Sequence, residues 1–78
     1  MFITYILKNE SNQKYYIGHT KNLGQRLLRH NRGLVRSTQN GIPWRVMYTE
    51  EFNPKPEAYK RELQIKSYKS GEAFKKLI

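Results

Sequence analysis

From Phe2 to Lys8 the chain reads Phe-Ile-Thr-Tyr-Ile-Leu-Lys, and both alternating sets of side chains are largely apolar. Ile3, Tyr5 and Leu7 form one set; Phe2, Thr4 and Ile6 form the other. Side chains alternate across a strand with a period of two, so this pattern specifies a strand covered by protein on each face. In a chain of 78 residues there is room for one thin core, and such a strand must run through the middle of it. The remaining segments have to supply its neighbours in the sheet and a cover on either side.

Turn chemistry follows at once in Asn9-Glu10-Ser11-Asn12-Gln13, and Lys14 to His19 returns as a second strand, so a hairpin is expected. A four-residue loop would pair Lys8 with Gln13 and set Tyr5 opposite Tyr16. A slip of two residues leaves both phenols on one face, and only an odd slip separates them. Thr20 or Asn22 can cap a helix that runs to about Arg32, with Gly33 stopping it. Leu23 and Leu27 form its buried stripe, with Leu28 at the margin. At about 100° per residue, Arg26 and His30 lie beside that stripe and lean toward the sheet, while Gln25 and Arg29 face solvent. Gly24 inside the helix costs about 1 kcal/mol relative to Ala, and close backbone packing is the expected reason for it.

A polar loop from Leu34 to Pro43, with Gly41 near its end, leads to a third alternating strand, Trp44 to Thr49. Asn53-Pro54-Lys55-Pro56-Glu57 is a helix start, with proline tolerated in the first turn and Glu57 favoured by the helix dipole. This helix continues to about Tyr68. Ser70 is the expected cap of a last short helix, in which Ala73, Phe74 and Leu77 pack down. The order β-β-α-β-α-α makes residues 1–78 a single α/β (α+β) domain around an antiparallel sheet.

Fifteen Lys and Arg against six acids, all Glu, give a net charge of +9. Ser11 to Thr49 holds no acid, while Lys14, Lys21, Arg26, Arg29, Arg32, Arg36 and Arg45 all fall there. That field attracts polyanions, which makes nucleic acid the expected partner. An anionic membrane surface is the lesser option, because no strongly amphipathic Lys/Trp helix is visible. No apolar run approaches the roughly 18 residues of a membrane span and no signal peptide precedes the first strand. With no cysteine there is neither a disulfide framework nor a thiolate metal site. The expectation is a cytoplasmic protein without a membrane partner.

Glu62 is the most telling acid. On the second long helix Ala58, Glu62 and Ile65 share a face, with Tyr59 and Leu63 to the side. A carboxylate in a core-facing stripe is costly unless paired or bound to a metal. Two readings follow: a structural ion pair to Arg26 or Arg61, or a ligand for one Mg²⁺, a hard cation that keeps several waters. Phosphodiester hydrolysis needs an activated water, a cation against developing charge and a metal to polarise an oxygen. Tyr5 and Tyr16 can address the water or a phosphate oxygen. Arg26 can hold a phosphate by a forked contact, and His30, one turn on, can relay a proton or donate to phosphate. His19 on its own reads as structural.

These residues resemble the GIY-YIG nuclease superfamily, in its small single-domain branch similar to the nuclease domain of the ABC excinuclease. Ile3-Thr4-Tyr5 stands where the GIY triplet would be, and Tyr16-Ile17-Gly18 reproduces YIG. Arg26 falls where the family's arginine is expected, His30 matches a position held by His or Tyr, and Glu62 matches the metal-binding glutamate. Ile3 and Thr4 depart from the usual glycine and isoleucine, which removes no catalytic group. The resemblance implies a three-stranded antiparallel sheet flanked by helices. It also implies Mg²⁺- or Mn²⁺-dependent endonuclease cleavage of one strand, with DNA the expected substrate ahead of RNA. Tyr5, Tyr16, Arg26, His30 and Glu62 would form the site, with Glu62 on the metal. Either tyrosine can be the main base, and Tyr16 is preferred. Family nucleases draw specificity from an attached domain, so a partner protein could supply it here. The alternative is a non-catalytic nucleic-acid-binding module in which Lys14, Lys21, Arg29, Arg32, Arg36 and Arg45 clamp phosphates. A protein–protein adaptor using Tyr48, Phe52 and Tyr59 is a third reading.

Overall fold

In a computed structural model, residues 1–11, 13–39, 42–69 and 71–78 are described. The doubly apolar segment is strand β1 (Phe2–Asn9), and it lies between β2 (Tyr15–Thr20) and β3 (Trp44–Phe52) in a three-stranded antiparallel sheet ordered β2-β1-β3. Helix α1 (Leu23–Asn31) lies between β2 and β3 in the chain, and α2 (Lys55–Ser67) and α3 (Glu72–Lys75) follow β3. Strand β1 therefore takes the central position that its two apolar faces require. One face packs Tyr5, Leu7 and Trp44 with Ile3, Tyr16, Leu23 and Leu27. The other packs Ile6, Ile65 and Phe74 with Tyr15, Ile17, Met47, Tyr48, Tyr68 and Leu77. Helix α1 thus covers the odd-numbered face of β1, and α2 with α3 covers the even-numbered face.

The hairpin register differs from the four-residue loop by two residues: Lys8 pairs with Tyr15, Leu7 with Tyr16 and Tyr5 with Gly18. The reason is local. Asn9 Oδ1 accepts from the Ser11 N–H and the Ser11 hydroxyl, both at 2.7 Å, and this side-chain turn keeps residues beyond Asn9 out of the ladder. A shift of two preserves parity, so Tyr5 and Tyr16 share a face as diagonal neighbours, with ring centroids 6.2 Å apart. Asn12 of the turn, Gly41 of the long loop and Ser70 as a cap lie outside the described residues.

Helix α1 is capped by Asn22, whose Oδ1 accepts from Gln25 N–H at 3.0 Å, while Thr20 Oγ1 accepts from Asn22 N–H at 3.2 Å. Gly33 has φ of 74°, the left-handed conformation that ends a helix. Gly24 corrects one expectation. It occupies the second position of α1, exposed, and a Cβ there would meet only Asn22 Oδ1 at 3.6 Å, so no close packing demands it. The third strand runs on past Thr49 to Phe52 because Glu50 is held on the α2 side. Arg61 Nε lies 3.3 Å from its carboxylate, and the Tyr48 hydroxyl donates to it. Ala73 is exposed, contrary to expectation, and α3 anchors itself through Phe74 and Leu77. Neighbouring residues of a helix point about 100° apart, so Phe74 faces the core while Ala73 beside it faces solvent.

On α2 the buried positions are Ala58, Glu62 and Ile65. Thr4 Oγ1 donates to Ala58 O at 2.7 Å, tying the helix to the central strand. This assignment of faces predicts that Ile65→Ala lowers unfolding free energy by about 2–5 kcal/mol. Leu63, 48% exposed on the same helix, should cost about 0.5 kcal/mol or less when replaced by Ala; urea unfolding of the two variants checks the orientation.

Candidate active site

The site is built around a missing side chain. A Cβ at Gly18 would lie 2.8 Å from Tyr5 Oη, 2.9 Å from Tyr5 Cζ and 3.0 Å from Tyr16 Cε2. The phenol of the central strand can therefore lie across the edge strand only because position 18 is glycine. Tyr5 is 1% exposed, and burial raises its hydroxyl pKa to about 12 in spite of the neighbouring Arg26.

From Tyr5 a directed chain of hydrogen bonds leads inward. Tyr5 Oη lies 3.0 Å from His30 Nε2, and His30 Nδ1 lies 2.8 Å from Thr38 Oγ1. The Thr38 hydroxyl donates to Val35 O at 3.3 Å, so it accepts from His30 Nδ1–H. That fixes the tautomer by network: Nε2 is bare and accepts the Tyr5 proton. Burial, helped by Arg26 and Arg29, holds the His30 pKa down to about 4, so the ring is neutral at pH 7. Thr38 is itself buried, and its carbonyl accepts from Trp44 Nε1 at 3.0 Å. Asn31 secures the same loop by exchanging two hydrogen bonds with the Trp44 backbone, at 2.6 and 3.1 Å.

Arg26 completes this side. Its guanidinium interacts with both phenols, Tyr5 the more strongly, which raises its pKa further. Its Nε is shut off from solvent and has no acceptor among the described residues. Tyr16 packs on His30 with ring centroids 4.8 Å apart and remains partly exposed. Tyr5, Tyr16, Arg26 and His30 are thus brought together.

Glu62 comes from the other side of the sheet, on α2, and is 7% exposed. Its expected ion-pair partners, Arg26 and Arg61, are replaced by two others. His19 Nδ1 lies 2.5 Å from Oε1, and Lys66 Nζ donates to Oε2 at 2.7 Å. Arg61 pairs with Glu50 instead. His19 follows Gly18 on the edge strand and points to the α2 face, opposite Thr4. Glu62 still acts electrostatically on Tyr5, disfavouring its ionisation. The two halves therefore meet at the edge of β2, beside Gly18 and His19. Sequence reasoning missed Thr38, Lys66 and the part played by His19. Lys66 stands four residues after Glu62 on a helix, a spacing that makes such pairs, whereas nothing local marked Thr38.

Of the basic residues, Lys21, Arg26 and Arg29 join Thr20, Asn22 and Gln25 around an open cleft of about 500 Å³ at the start of α1. Lys14 lies in a second cleft on the opposite side of the sheet. Arg32 and Arg36 are exposed beyond α1, and Arg45 lies 3.3 Å from Glu10. No helix of the described residues is long and apolar enough to cross a membrane.

The neutral buried imidazole makes stability depend on pH. Unfolded, His30 binds a proton below about 6.5; folded, it does so only below about 4. The unfolded chain holds more protons between these values, so stability is lost as pH falls through that window, by at most about 1.4 kcal/mol per unit from this residue. Denaturant midpoints from pH 7 to pH 4 should show this slope, and His30→Phe should remove His30's part of it.

The comparisons with known proteins agree with this fold. The GIY-YIG catalytic domain model matches residues 1–75. A UPF0213 protein of Staphylococcus aureus is 38% identical over 65 residues, 82% of this chain and 78% of that one. Another, of Staphylococcus saprophyticus, is 34% identical over 61 residues, covering 77% and 74%. The solution NMR structure of the UPF0213 protein of Bacillus halodurans superposes with a TM-score of 0.51 at 29% identity, covering 86% of this chain and 72% of that chain. With the glycine of YIG under two phenols and a family match along nearly all of its length, the chain belongs to the GIY-YIG nuclease family.

Proposed function

We propose that this protein is a divalent-metal-dependent endonuclease that hydrolyses phosphodiester bonds in DNA, one strand per site. The observation that carries this reading is Arg26, which lines the open cleft at the start of α1 with Lys21 and Arg29 while its guanidinium interacts with both phenols. A guanidinium lining a cationic cleft suits an anionic phosphate oxygen, which it can hold by a charge-assisted, forked contact. Lys21 and Arg29, in the same cleft, extend the positive surface along the strand. Arg32 and Arg36 continue it, and a partner protein would supply any further specificity.

Tyr5 and Tyr16 take different parts in this scheme. Tyr5 is buried and its proton is directed to His30, so it orients Arg26 and holds the floor of the site. Tyr16 is the accessible phenol, and we assign it to the attacking water, whose proton its oxygen accepts in a hydrogen bond. As the phosphorus is attacked, Arg26 lies where negative charge grows, and a preorganised donor of this kind contributes about 10²–10³ in rate.

Mg²⁺ or Mn²⁺ fits Glu62. The donor is a carboxylate oxygen, and no group of three His, Cys, Asp or Glu among the described residues could hold a metal. A cation here would be held by one carboxylate together with substrate oxygens and water, the habit of Mg²⁺. When bound, it would polarise a phosphate oxygen and stabilise the leaving oxygen. Two bonds, from His19 and Lys66, leave the carboxylate with lone pairs to spare.

That same double clamp favours a second reading, in which Glu62 is a structural ion pair and the fold is a binding module without useful activity. Cleavage of labelled single-stranded, nicked and branched DNA with and without Mg²⁺ separates the two. Arg26→Ala should slow cleavage by about 10²–10³, and Glu62→Gln should abolish the response to metal. Variants that cut as fast as the parent would show that the site is misassigned. Salt-sensitive binding without cleavage would support the module.

A further inference from the structure

The second cleft, on the α2 side of the sheet, has no part in the scheme above. It measures about 430 Å³ and lies between the start of β2 and the helices α2 and α3. Tyr15 and Ile17, both half-buried, form an apolar floor that rests on the buried Ile65 and Phe74, Tyr15 meeting Phe74 at a centroid distance of 5.0 Å. Lys14, Lys66 and Lys69 form the rim, with Gln13 at one end, and no carboxylate of the described residues lines it. An apolar floor with a cationic rim suits a ligand that is flat and apolar at one end and anionic at the other. A nucleotide within a strand has that character: bases lie against aromatic and aliphatic surface while lysines track the phosphates.

Its position adds a second argument. Lys66, on the rim, also donates to Glu62 Oε2 at 2.7 Å, so the cleft adjoins the carboxylate. The first cleft begins at Thr20, the last residue of β2, and the second at Lys14 and Tyr15, where β2 starts. From Tyr15 to Thr20 an extended chain covers roughly 17 Å at about 3.3 Å per step. Stacked nucleotides rise about 3.4 Å along one strand, so Tyr15 of the second cleft and Thr20 of the first stand about five nucleotides apart along the β2 edge, with Ile17 of the second cleft nearer. Gly18, His19, Tyr16 and the Glu62 carboxylate lie in that interval.

We propose that the cleft lined by Lys14, Tyr15, Ile17, Lys66, Lys69 and Phe74 is a second nucleic-acid subsite. It receives a nucleotide about five positions from the one held at Lys21 and Arg29, so that the substrate strand runs along the edge of β2. The inference rests on the nuclease reading, and it adds the path and footprint of the strand.

The experiment is DNA binding in EDTA, which prevents cleavage, by the full chain with a fluorescent 12-nucleotide single strand across a salt series. Lys14→Gln with Lys69→Asn removes two rim charges, and asparagine accepts the left-handed backbone of Lys69, φ 48°. Lys55→Gln with Lys60→Gln, exposed on α2 outside both clefts, removes the same charge elsewhere. The rim variant should bind about fivefold or more weaker than the α2 control at about 50 mM salt. Its slope of log K against log salt should be shallower by about 1.4, the effect of two phosphate contacts on a single strand. Photo-crosslinking with 5-iododeoxyuridine along the strand should label Tyr15 itself, distinguished from Tyr16 and Thr20 by fragmenting the labelled peptide. Equal losses in the two double variants, with crosslinks confined to the α1 cleft, would overturn the subsite. Arg26-dependent cleavage would in that case leave the nuclease reading standing. A parent chain that binds no DNA at low salt would remove both.

Discussion

A phenol on the middle strand of a sheet can reach the sheet's edge only where the neighbouring strand offers no side chain in its way. Gly18 provides that gap, and the rest of the candidate site follows from what lies over it. Tyr5 crosses β2 there, with no room for even one added methyl group. Its hydroxyl is fixed from behind by His30, which is fixed in turn by Thr38, so a loop threonine helps to set the direction of a strand tyrosine. The chain of bonds is directional because Thr38 gives its own proton to Val35 O. A neutral imidazole with a bare Nε2 is the consequence, and burial beside two arginines keeps it neutral.

This arrangement sets two chemically similar tyrosines in different surroundings. One is buried, with its proton committed to His30; the other is partly exposed and packs at a tilt against the same imidazole. Arg26 interacts with both and also lines the open cleft at the start of α1. The acidic component is kept apart, beneath the opposite face, where Glu62 is braced by His19 and Lys66. An acid set directly among the phenols would pair with Arg26 and occupy the guanidinium that the proposed phosphate contact requires. Separation by the thickness of a single edge strand keeps the arginine available and still lets the carboxylate influence Tyr5.

Much of this was legible in the sequence, for reasons that can be named. The shared face of Tyr5 and Tyr16 followed from the period of two, and it survived a register error of two residues because parity is insensitive to even slips. Arg26 and His30 followed from helical geometry beside Leu23 and Leu27, and Glu62 from the cost of a charge in an apolar stripe. What stayed hidden depends on contacts between segments distant in the chain. The opposite placement of Glu62 and the phenols is decided by which helix covers which face of β1. His19 and Glu62 lie 43 positions apart, and no local pattern joins them. Thr38 sits in a loop whose course is set by the Trp44 indole and by Asn31. Gly24 was misread because its place in the first turn of α1, rather than its interior, was not apparent.

The proposed scheme gives the two phenols different work. The measurement is metal-dependent cleavage of one DNA substrate by Tyr5→Phe and Tyr16→Phe in parallel, each at a temperature where it is folded. Loss of the Tyr16 hydroxyl should lower the rate by about 10²–10⁴, as removal of a group acting on the attacking water does. Loss of the Tyr5 hydroxyl should act chiefly on stability, by about 1–3 kcal/mol, because it leaves a buried imidazole nitrogen unpaired. The reverse order, with Tyr5→Phe inactive and Tyr16→Phe close to the parent, would contradict it.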